Sequence, residues 1–145
     1  MTPDEITEYL HRNIPLTRAL GVRVLRCETA CAEISAPLAP NLNHRGTAFG
    51  GSLATLGIVS GWTLLHFALQ REGIEARLVI QNSNCDFMEP AAGELTAVTR
   101  MPAAEWDRFL AALRRGRRAR ICVKTEIMAV DRQVVTHEGT YVALP

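Results

Sequence analysis

The sequence offers little that would commit it to a metal, a nucleic acid or a secretory route. Its four cysteines form no C-x-x-C pair, and no Cys/His group has zinc-site spacing, so we expect no metal and interpret the cysteines as reduced thiols. A formal net charge of +1 gives no bulk attraction to nucleic acid or to an anionic membrane. The first residues lack the basic-then-apolar pattern of a signal peptide. We therefore expect one cytoplasmic domain over residues 1–145, with no nucleic-acid or membrane partner.

Charge is also missing from the segment between Thr47 and Gln70, which contains no Asp, Glu, Lys or Arg. Its length approaches that of a membrane-spanning helix, about 20 residues, whereas a strand this long would be abnormal. Glycine, serine and threonine dilute its apolar content, and the rest of the chain is ordinary soluble sequence. We therefore interpret the segment as a helix buried on most sides within the protein, with a membrane span as the alternative.

The remaining segments predict an antiparallel sheet accompanied by short helices. Thr2 and Glu5 have the spacing of a capping box, so a helix begins at Pro3, and a connection is expected from Pro15 to Gly21. Strands are expected over 21–27, 31–36, 76–87, 94–101, 117–128 and 134–144, and a further helix over 102–115. Short turns between consecutive strands indicate antiparallel pairing. One face of the sheet would cover the uncharged helix, which gives an α+β domain.

A pair of glycines, Gly50 and Gly51, opens the uncharged helix and is followed by Ser52. The first N–H groups of a helix have no internal partner, and the helix dipole places partial positive charge there. Without a Cβ, a ligand can approach this backbone closely. Such donors can hold a carbonyl oxygen that becomes an oxyanion. A simple glycine-rich turn before a helix is the alternative.

The loop and helix start, NHRGTAFGGSL over residues 43–53, resemble the thioesterase domain at the C-terminal end of YiiD-type proteins. Trp62 in the helix and the segment 86–90 also fit that family. The resemblance implies a hotdog fold, in which an antiparallel sheet wraps around one long central helix. It also implies hydrolysis of thioesters of coenzyme A or acyl carrier protein, by homodimers or dimers of dimers whose sites lie between subunits. No cofactor is implied beyond the coenzyme A of the substrate.

The same resemblance suggests roles for residues near the helix start. Gly50 would supply the backbone N–H that binds the thioester carbonyl, and Gly51 would allow close approach. Asn43 stands where related enzymes carry an Asn or Gln that positions water or substrate. The chain departs from the phenylacetyl-CoA type, which has a His before the glycines and an Asp or Glu two turns later. Phe49 and Ile58 occupy those positions here, so the usual nucleophile or general base is missing.

Several residues are candidates to replace the missing acid. His44 is a possible base, or a solvated side chain that braces the loop. Alternation along the predicted strand 76–87 places Asn82, Asn84 and Asp86 on one face and Ser83 on the other. Asp86 is then a catalytic candidate, and Asn82, Asn84, Ser83 and the helix residue Ser52 are substrate-binding candidates. An exposed strand face explains the polar row equally well.

Five arginines cluster between residues 114 and 120. Arg117 and its neighbours could pair with the phosphates of coenzyme A, because guanidinium binds phosphate bidentately. A helix end followed by an exposed strand face explains the cluster equally well. Two other functions stay open: a non-catalytic acyl-thioester-binding domain, because Ile58 replaces the acid, and a hotdog hydratase or dehydratase, which needs an Asp that the 41–44 loop lacks.

Overall fold

The chain folds into a six-stranded antiparallel sheet wrapped around one long helix, as seen in a computed structural model that describes all 145 residues. The helices are α1 (Pro3–Asn13), α2 (Pro15–Leu20), α3 (Gly50–Arg71) and α4 (Ala103–Arg114). The strands are β1 (Arg23–Cys27), β2 (Cys31–Ala36), β3 (Arg77–Phe87), β4 (Leu95–Arg100), β5 (Ala119–Ala129) and β6 (Arg132–Leu144). The predicted α+β class and the hotdog fold are confirmed.

The sheet order is β1-β2-β4-β5-β6-β3, so β3 lies at an edge and pairs only with β6. The strand predicted over 76–87 is thus present as β3. β3 and β4 follow each other in the chain, yet β4 pairs with β2 and β5 in the middle of the sheet. One side of the β3 backbone is therefore left without a strand partner, which is a ready place for another strand to add.

α3 is the buried helix that the uncharged segment predicted. By length and composition it could cross a membrane, but 72% of its most hydropathic window is buried inside the protein. Burial on most sides explains why the segment carries no charged side chain, since an unpaired buried charge is costly. The interpretation as a core helix is thus confirmed, whereas a cytoplasmic location stays a prediction.

The N-terminal region agrees with the sequence pattern except at one point. The capping box is present: Thr2 Oγ1 accepts from the Glu5 N–H, and Glu5 Oε2 accepts from the Thr2 N–H. Residues 15–20, expected to be a connection, form the short helix α2, because Pro15 stands at a first helical position rather than only ending α1. Gly21 ends α2 in the left-handed conformation, with φ +73.

The middle of α3 lies close to the inner face of β6 because two of its glycines leave room for large rings. A methyl group at Gly57 would lie 2.6 Å from His137 Cγ, and one at Gly61 would lie 2.5 Å from Tyr141 Oη. The Tyr141 hydroxyl donates to the Ile58 carbonyl of α3 at 2.7 Å. These contacts fix how the helix is seated on the sheet.

Candidate active site at the start of the central helix

A cleft of about 350 Å³ opens beside the first turn of α3. Its walls are the loop before the helix, the helix start, and the segment that follows β3. The lining residues are Asn43, Thr47, Ala48, Gly50, Leu53, Phe87, Met88, Glu89, Pro90 and Ala91. The helix start is therefore not plugged by the protein's own side chains at Gly50. The cleft offers both polar backbone and apolar side chains, which is typical of a ligand site.

Three amide donors at this helix start have no acceptor within the chain. The first helix N–H with a backbone partner is that of Leu53, which donates to the Phe49 carbonyl at 3.1 Å. The N-cap residue is Phe49, whose side chain cannot accept a hydrogen bond, and no other side chain caps the helix. The N–H groups of Gly50, Gly51 and Ser52 are thus free, and Gly50 lines the cleft. Free donors at the positive end of a long helix suit an oxygen that gains negative charge.

The two glycines differ in what surrounds them. A methyl group at Gly50 would lie 3.6 Å from the Phe87 ring, which is an ordinary van der Waals contact. At Gly51, the corresponding space is already filled by the ring of Phe49. The absence of a Cβ at Gly51 therefore accommodates the protein's own ring. The expectation that Gly51 admits a ligand has no support from this packing.

Asn43 holds the loop in front of the helix. Its Oδ1 accepts from the Arg45 N–H at 2.8 Å and from the Thr47 N–H at 3.2 Å. Its Nδ2 donates to Thr47 Oγ1 at 2.8 Å and to the Ala48 carbonyl at 3.3 Å. All four bonds are local, so Asn43 shapes the cleft wall. A role in positioning water or substrate stays a prediction.

The cleft contains one carboxylate, that of Glu89, which the sequence analysis did not single out. Arg132 Nη1 lies 3.2 Å from Glu89 Oε1 and 3.3 Å from Oε2, so the carboxylate is held by an ion pair. His44 lies in an exposed turn and does not line the cleft. The signal for Glu89 was available in the sequence as the residue before Pro90, but only the fold brings it into the same cleft as Gly50.

The polar row of β3 lies on one face of the sheet and Ser83 on the other, as the alternation predicted. Asp86, Asn84 and Asn82 pair with Thr136, Glu138 and Thr140 of β6, on the face away from α3. Within one chain these three residues do not reach the cleft. Their roles in catalysis and substrate binding stay predictions.

Ser83 lies on the opposite face, toward α3, where it meets a residue that sequence reasoning missed. Ser83 Oγ and His137 Nε2 are 2.8 Å apart. His137 is only 1% exposed, and its Nδ1 has no hydrogen-bond partner. Burial lowers the pKa of His137 below its usual value, with a smaller opposing effect of Glu138. A neutral imidazole beside a hydroxyl is thus built into the inner face of the sheet.

A chain of buried hydroxyls continues the polar line across the same face. Ser60 Oγ lies 2.7 Å from Thr99 Oγ1, which lies 2.6 Å from Thr125 Oγ1. Thr125 is the cross-strand neighbour of His137. All are satisfied by one another, so this line can be buried without leaving free donors. No group of His, Cys, Asp and Glu side chains could hold a metal ion.

Arg117 lies in the exposed connection between α4 and β5 and does not line the cleft. α4 packs on β5, and its Trp106, Phe109 and Leu113 belong to the same core cluster as Leu65 and Leu69 of α3. Arg114, at the end of α4, pairs with Glu72 at 2.6 Å. A role of Arg117 in binding coenzyme A phosphates stays a prediction.

The long central helix, the strand order and the open cleft at the helix start together define a hotdog-fold domain. A family model described as “Putative thioesterase (yiiD_Cterm)” matches residues 3–145. The chain belongs to this family of thioesterase domains.

Solved structures support the same fold. A “putative thioesterase” from Shewanella oneidensis is 24% identical with a TM-score of 0.89, and the match covers 99% of this chain and 97% of that one. A protein of unknown function from Chlorobaculum tepidum is 25% identical with a TM-score of 0.89, covering 99% and 96%. A mutant of a thioesterase enzyme from Staphylococcus aureus is 14% identical with a TM-score of 0.72, covering 90% and 99%. At these identities the likeness shows the fold.

Proposed function

We propose that this protein hydrolyses acyl thioesters of coenzyme A or of acyl carrier protein, with the Gly50 amide as the oxyanion donor. The observation that carries the proposal is the group of free helix-start amides of which Gly50 faces the cleft. Family membership supports thioester chemistry in general. The carrier and the acyl group are part of the proposal.

The chemistry follows from what a thioester needs. Attack on the carbonyl carbon moves negative charge onto the carbonyl oxygen, so a donor already aimed at that oxygen stabilises the transition state. The Gly50 N–H is fixed by the helix and needs no reorganisation when the charge develops. One such donor contributes about 10²- to 10³-fold to the rate. Coenzyme A enters only as part of the substrate.

The cleft is suited to an uncharged acyl group or carrier arm beside the thioester. Leu53, Phe87, Met88 and Pro90 supply apolar wall, and Asn43 and Thr47 supply polar wall. Apolar lining favours aliphatic or aromatic acyl groups, because their transfer from water is favourable. The phosphates of the carrier would remain in solvent or meet arginines such as Arg117.

The proposed enzyme is a homodimer or a dimer of dimers joined at the free edge of β3. Val79 and Phe87 are exposed large hydrophobic residues on this edge strand. Adding an antiparallel β3 from a second copy would satisfy the free backbone groups and cover these side chains. The cleft, which reaches Phe87, would then lie beside the second copy.

The experiment is a free-thiol release assay with acyl-CoAs of graded aliphatic length, an aromatic acyl-CoA, and the same acyl groups on acyl carrier protein. We expect at least one thioester to be hydrolysed well above the rate without enzyme, and the paired substrates give the carrier preference. If folded, oligomeric protein turns over none of them above background, the proposal is wrong.

A second candidate is a domain that binds acyl thioesters without hydrolysing them. The observation that favours it is the cleft itself, where Asn43 is fully occupied by local bonds and the only carboxylate, Glu89, is held by Arg132. Isothermal titration with a non-hydrolysable acyl-CoA ether separates the two. Binding of the ether without turnover of the matching thioester favours the non-catalytic binding domain. Turnover of the thioester excludes it.

A further inference from the structure

The pair formed by Ser83 and His137 has the geometry of a nucleophile and its base. The hydroxyl oxygen and Nε2 are 2.8 Å apart, which is within the reach that proton transfer requires. Ser83 is exposed at the edge strand β3, whereas His137 is buried on β6. An exposed hydroxyl backed by a buried imidazole leaves the oxygen open to an electrophile.

The imidazole is held in place from several sides. Gly57 of α3 leaves room for it, since a methyl group there would lie 2.6 Å from Cγ, and a methyl group at Gly139 would lie 3.0 Å from Cε1. Packing alone does not call for an imidazole here, because an apolar side chain could fill the space without leaving a buried nitrogen unpaired. The unpaired Nδ1 carries a desolvation cost. Such a cost is typical of a functional group.

The Ser83–His137 pair lies near the position on α3 where an acidic side chain is missing. Ile58, which stands where the phenylacetyl-CoA type has an acid, directly follows Gly57, and the His137 ring lies close to Gly57. The sheet thus supplies a base and a nucleophile at the level of the helix where the carboxylate is missing. Glu89, the one carboxylate that lines the cleft, forms a solvent-exposed ion pair with Arg132.

We propose that Ser83 is the nucleophile of the thioester hydrolysis proposed above, and that His137 is its general base. Ser83 Oγ forms a bond to the carbonyl carbon while His137 Nε2 takes the hydroxyl proton. The carbon–sulfur bond then breaks, and the leaving thiolate takes that proton from Nε2. Water attacks the Ser83 ester, its proton passes through Nε2 to Ser83 Oγ, and the carboxylic acid leaves.

The acyl oxygen in this reaction is held by Gly50 of a second copy. Within one chain, Gly50 lies beside Phe87, whose ring a methyl group at Gly50 would approach to 3.6 Å, and Ser83 lies four residues back along β3, about 13 Å from Phe87 at the usual rise per residue. One carbonyl cannot touch both. We place the two-fold axis of an antiparallel β3–β3 pair at Cys85, midway between Ser83 and Phe87, because that register sets Phe87 and Gly50 of the second copy opposite Ser83.

The first test is covalent labelling of the full chain with an alkyl fluorophosphonate, followed by peptide mapping. The serine oxygen would form a bond to phosphorus, fluoride would leave, and His137 would take the proton. We expect a single adduct at Ser83, none in Ser83→Ala, and labelling slowed about 100-fold or more in His137→Gln. His137→Gln keeps a hydrogen-bonding group beside Ser83 but cannot act as the base. Gln81→Ala, at an exposed position two residues away, is the control and should label normally.

The second test is turnover. Ser83→Ala should lower kcat/KM about 100-fold or more, and His137→Gln should do the same, whereas a merely structural His137 would leave the Gln variant nearly as active. Gly50→Pro and Ser83→Ala copies, mixed after dissociation and reassociation, should recover up to about a quarter of wild-type activity, because random pairing gives half heterodimers with one intact site each.

Each result decides something. If no adduct forms at Ser83, or if Ser83→Ala keeps near wild-type turnover, Ser83 is not the nucleophile. Loss of turnover in Glu89→Gln alone would point to Glu89 instead. No recovery on mixing overturns the shared site. If Gly50→Pro is inactive while Ser83→Ala is active, the proposed function stands and this inference fails. If the wild type turns over no thioester, the proposed function fails, and labelling still decides whether Ser83 is activated.

Discussion

Three glycines of α3, Gly50, Gly57 and Gly61, have opposite surroundings at the start and in the middle of the helix. At the first turn, Gly50 borders a cleft and has room for a methyl group, with Phe87 at 3.6 Å. Two and three turns later, Gly57 and Gly61 lie close to His137 and Tyr141, and a methyl group would lie 2.6 Å from His137 Cγ or 2.5 Å from Tyr141 Oη. The first glycine keeps a backbone donor accessible, and the other two let the helix sit close to the sheet. Identical residues on one helix therefore carry different constraints.

We call the part of α3 around Gly57 and Gly61 the closed region, and the cleft beside Gly50 the open region. The largest expected effect on stability is in the closed region. Gly57→Ala and Gly61→Ala each should lower the free energy of unfolding by about 1–3 kcal/mol, because overpacking outweighs the helix propensity gained by Ala. Gly50→Ala is the matched control and should not be destabilised. Urea denaturation of the three variants measures this, and equal stability of all three would remove the contrast between the regions.

The next effect is at the open region, where Asn43 holds the cleft wall. Asn43→Ala removes four local hydrogen bonds and should destabilise the protein by about 1–2 kcal/mol, since the site is half-buried and water replaces part of the loss. Turnover should fall as the loop loosens. Asn43→Asp keeps the two acceptor bonds and should lie between wild type and Ala. Thermal unfolding with parallel kinetics checks this, and an unchanged Asn43→Ala would show that the loop is held by other contacts.

A smaller effect should follow from Tyr141→Phe in the closed region. The hydroxyl donates to the Ile58 carbonyl at 2.7 Å, and its removal should cost about 0.5–1.5 kcal/mol, because that carbonyl is already part of the helix ladder. Turnover should be little changed. A large loss of activity with small loss of stability would mean that the seating of α3 controls the cleft directly.

The smallest effect concerns pH. Burial lowers the pKa of both His137 and His66 in the folded protein, so below about pH 6.5 the unfolded chain takes up protons first and stability falls. Above that pH both states are neutral and neither residue contributes. The melting temperature should drop between about pH 7.5 and about pH 5.5, and the drop should be smaller in His137→Gln. An identical drop in the variant would contradict burial of a neutral His137.

Much of this fold can be predicted from the sequence because local patterns determine it. β5 alternates buried residues such as Ile121 and Val123 with exposed ones such as Arg120 and Lys124, and the absence of charge predicted α3. The edge position of β3 could not be read from the chain, because strand order depends on long-range pairing with β6. That placement explains why the polar row of Asn82, Asn84 and Asp86 is exposed.

Only the part of the candidate site whose residues are close in the sequence was predicted. The loop, Gly50 and the cleft follow from one continuous motif, whereas Ser83 and His137 are 54 residues apart and meet only through strand register. A signal for His137 did exist: it shares a strand face with Gly139 and the apolar ring of Tyr141, so a histidine there is buried. That Glu89 and Gly50 line one cleft likewise became visible only from the fold.

The central claim is that the Gly50 amide grips the acyl oxygen, and Gly50→Pro tests it most directly. Proline removes this one N–H at a first helical position that it favours, and Phe49 already has the backbone, φ −66 and ψ 134, that precedes proline readily. Gly50→Ala keeps the N–H and adds a methyl group that the site accommodates. We predict that kcat/KM for thioester hydrolysis falls about 10²- to 10³-fold in Gly50→Pro, with folding intact, and far less in Gly50→Ala. Wild-type turnover in Gly50→Pro would contradict the account.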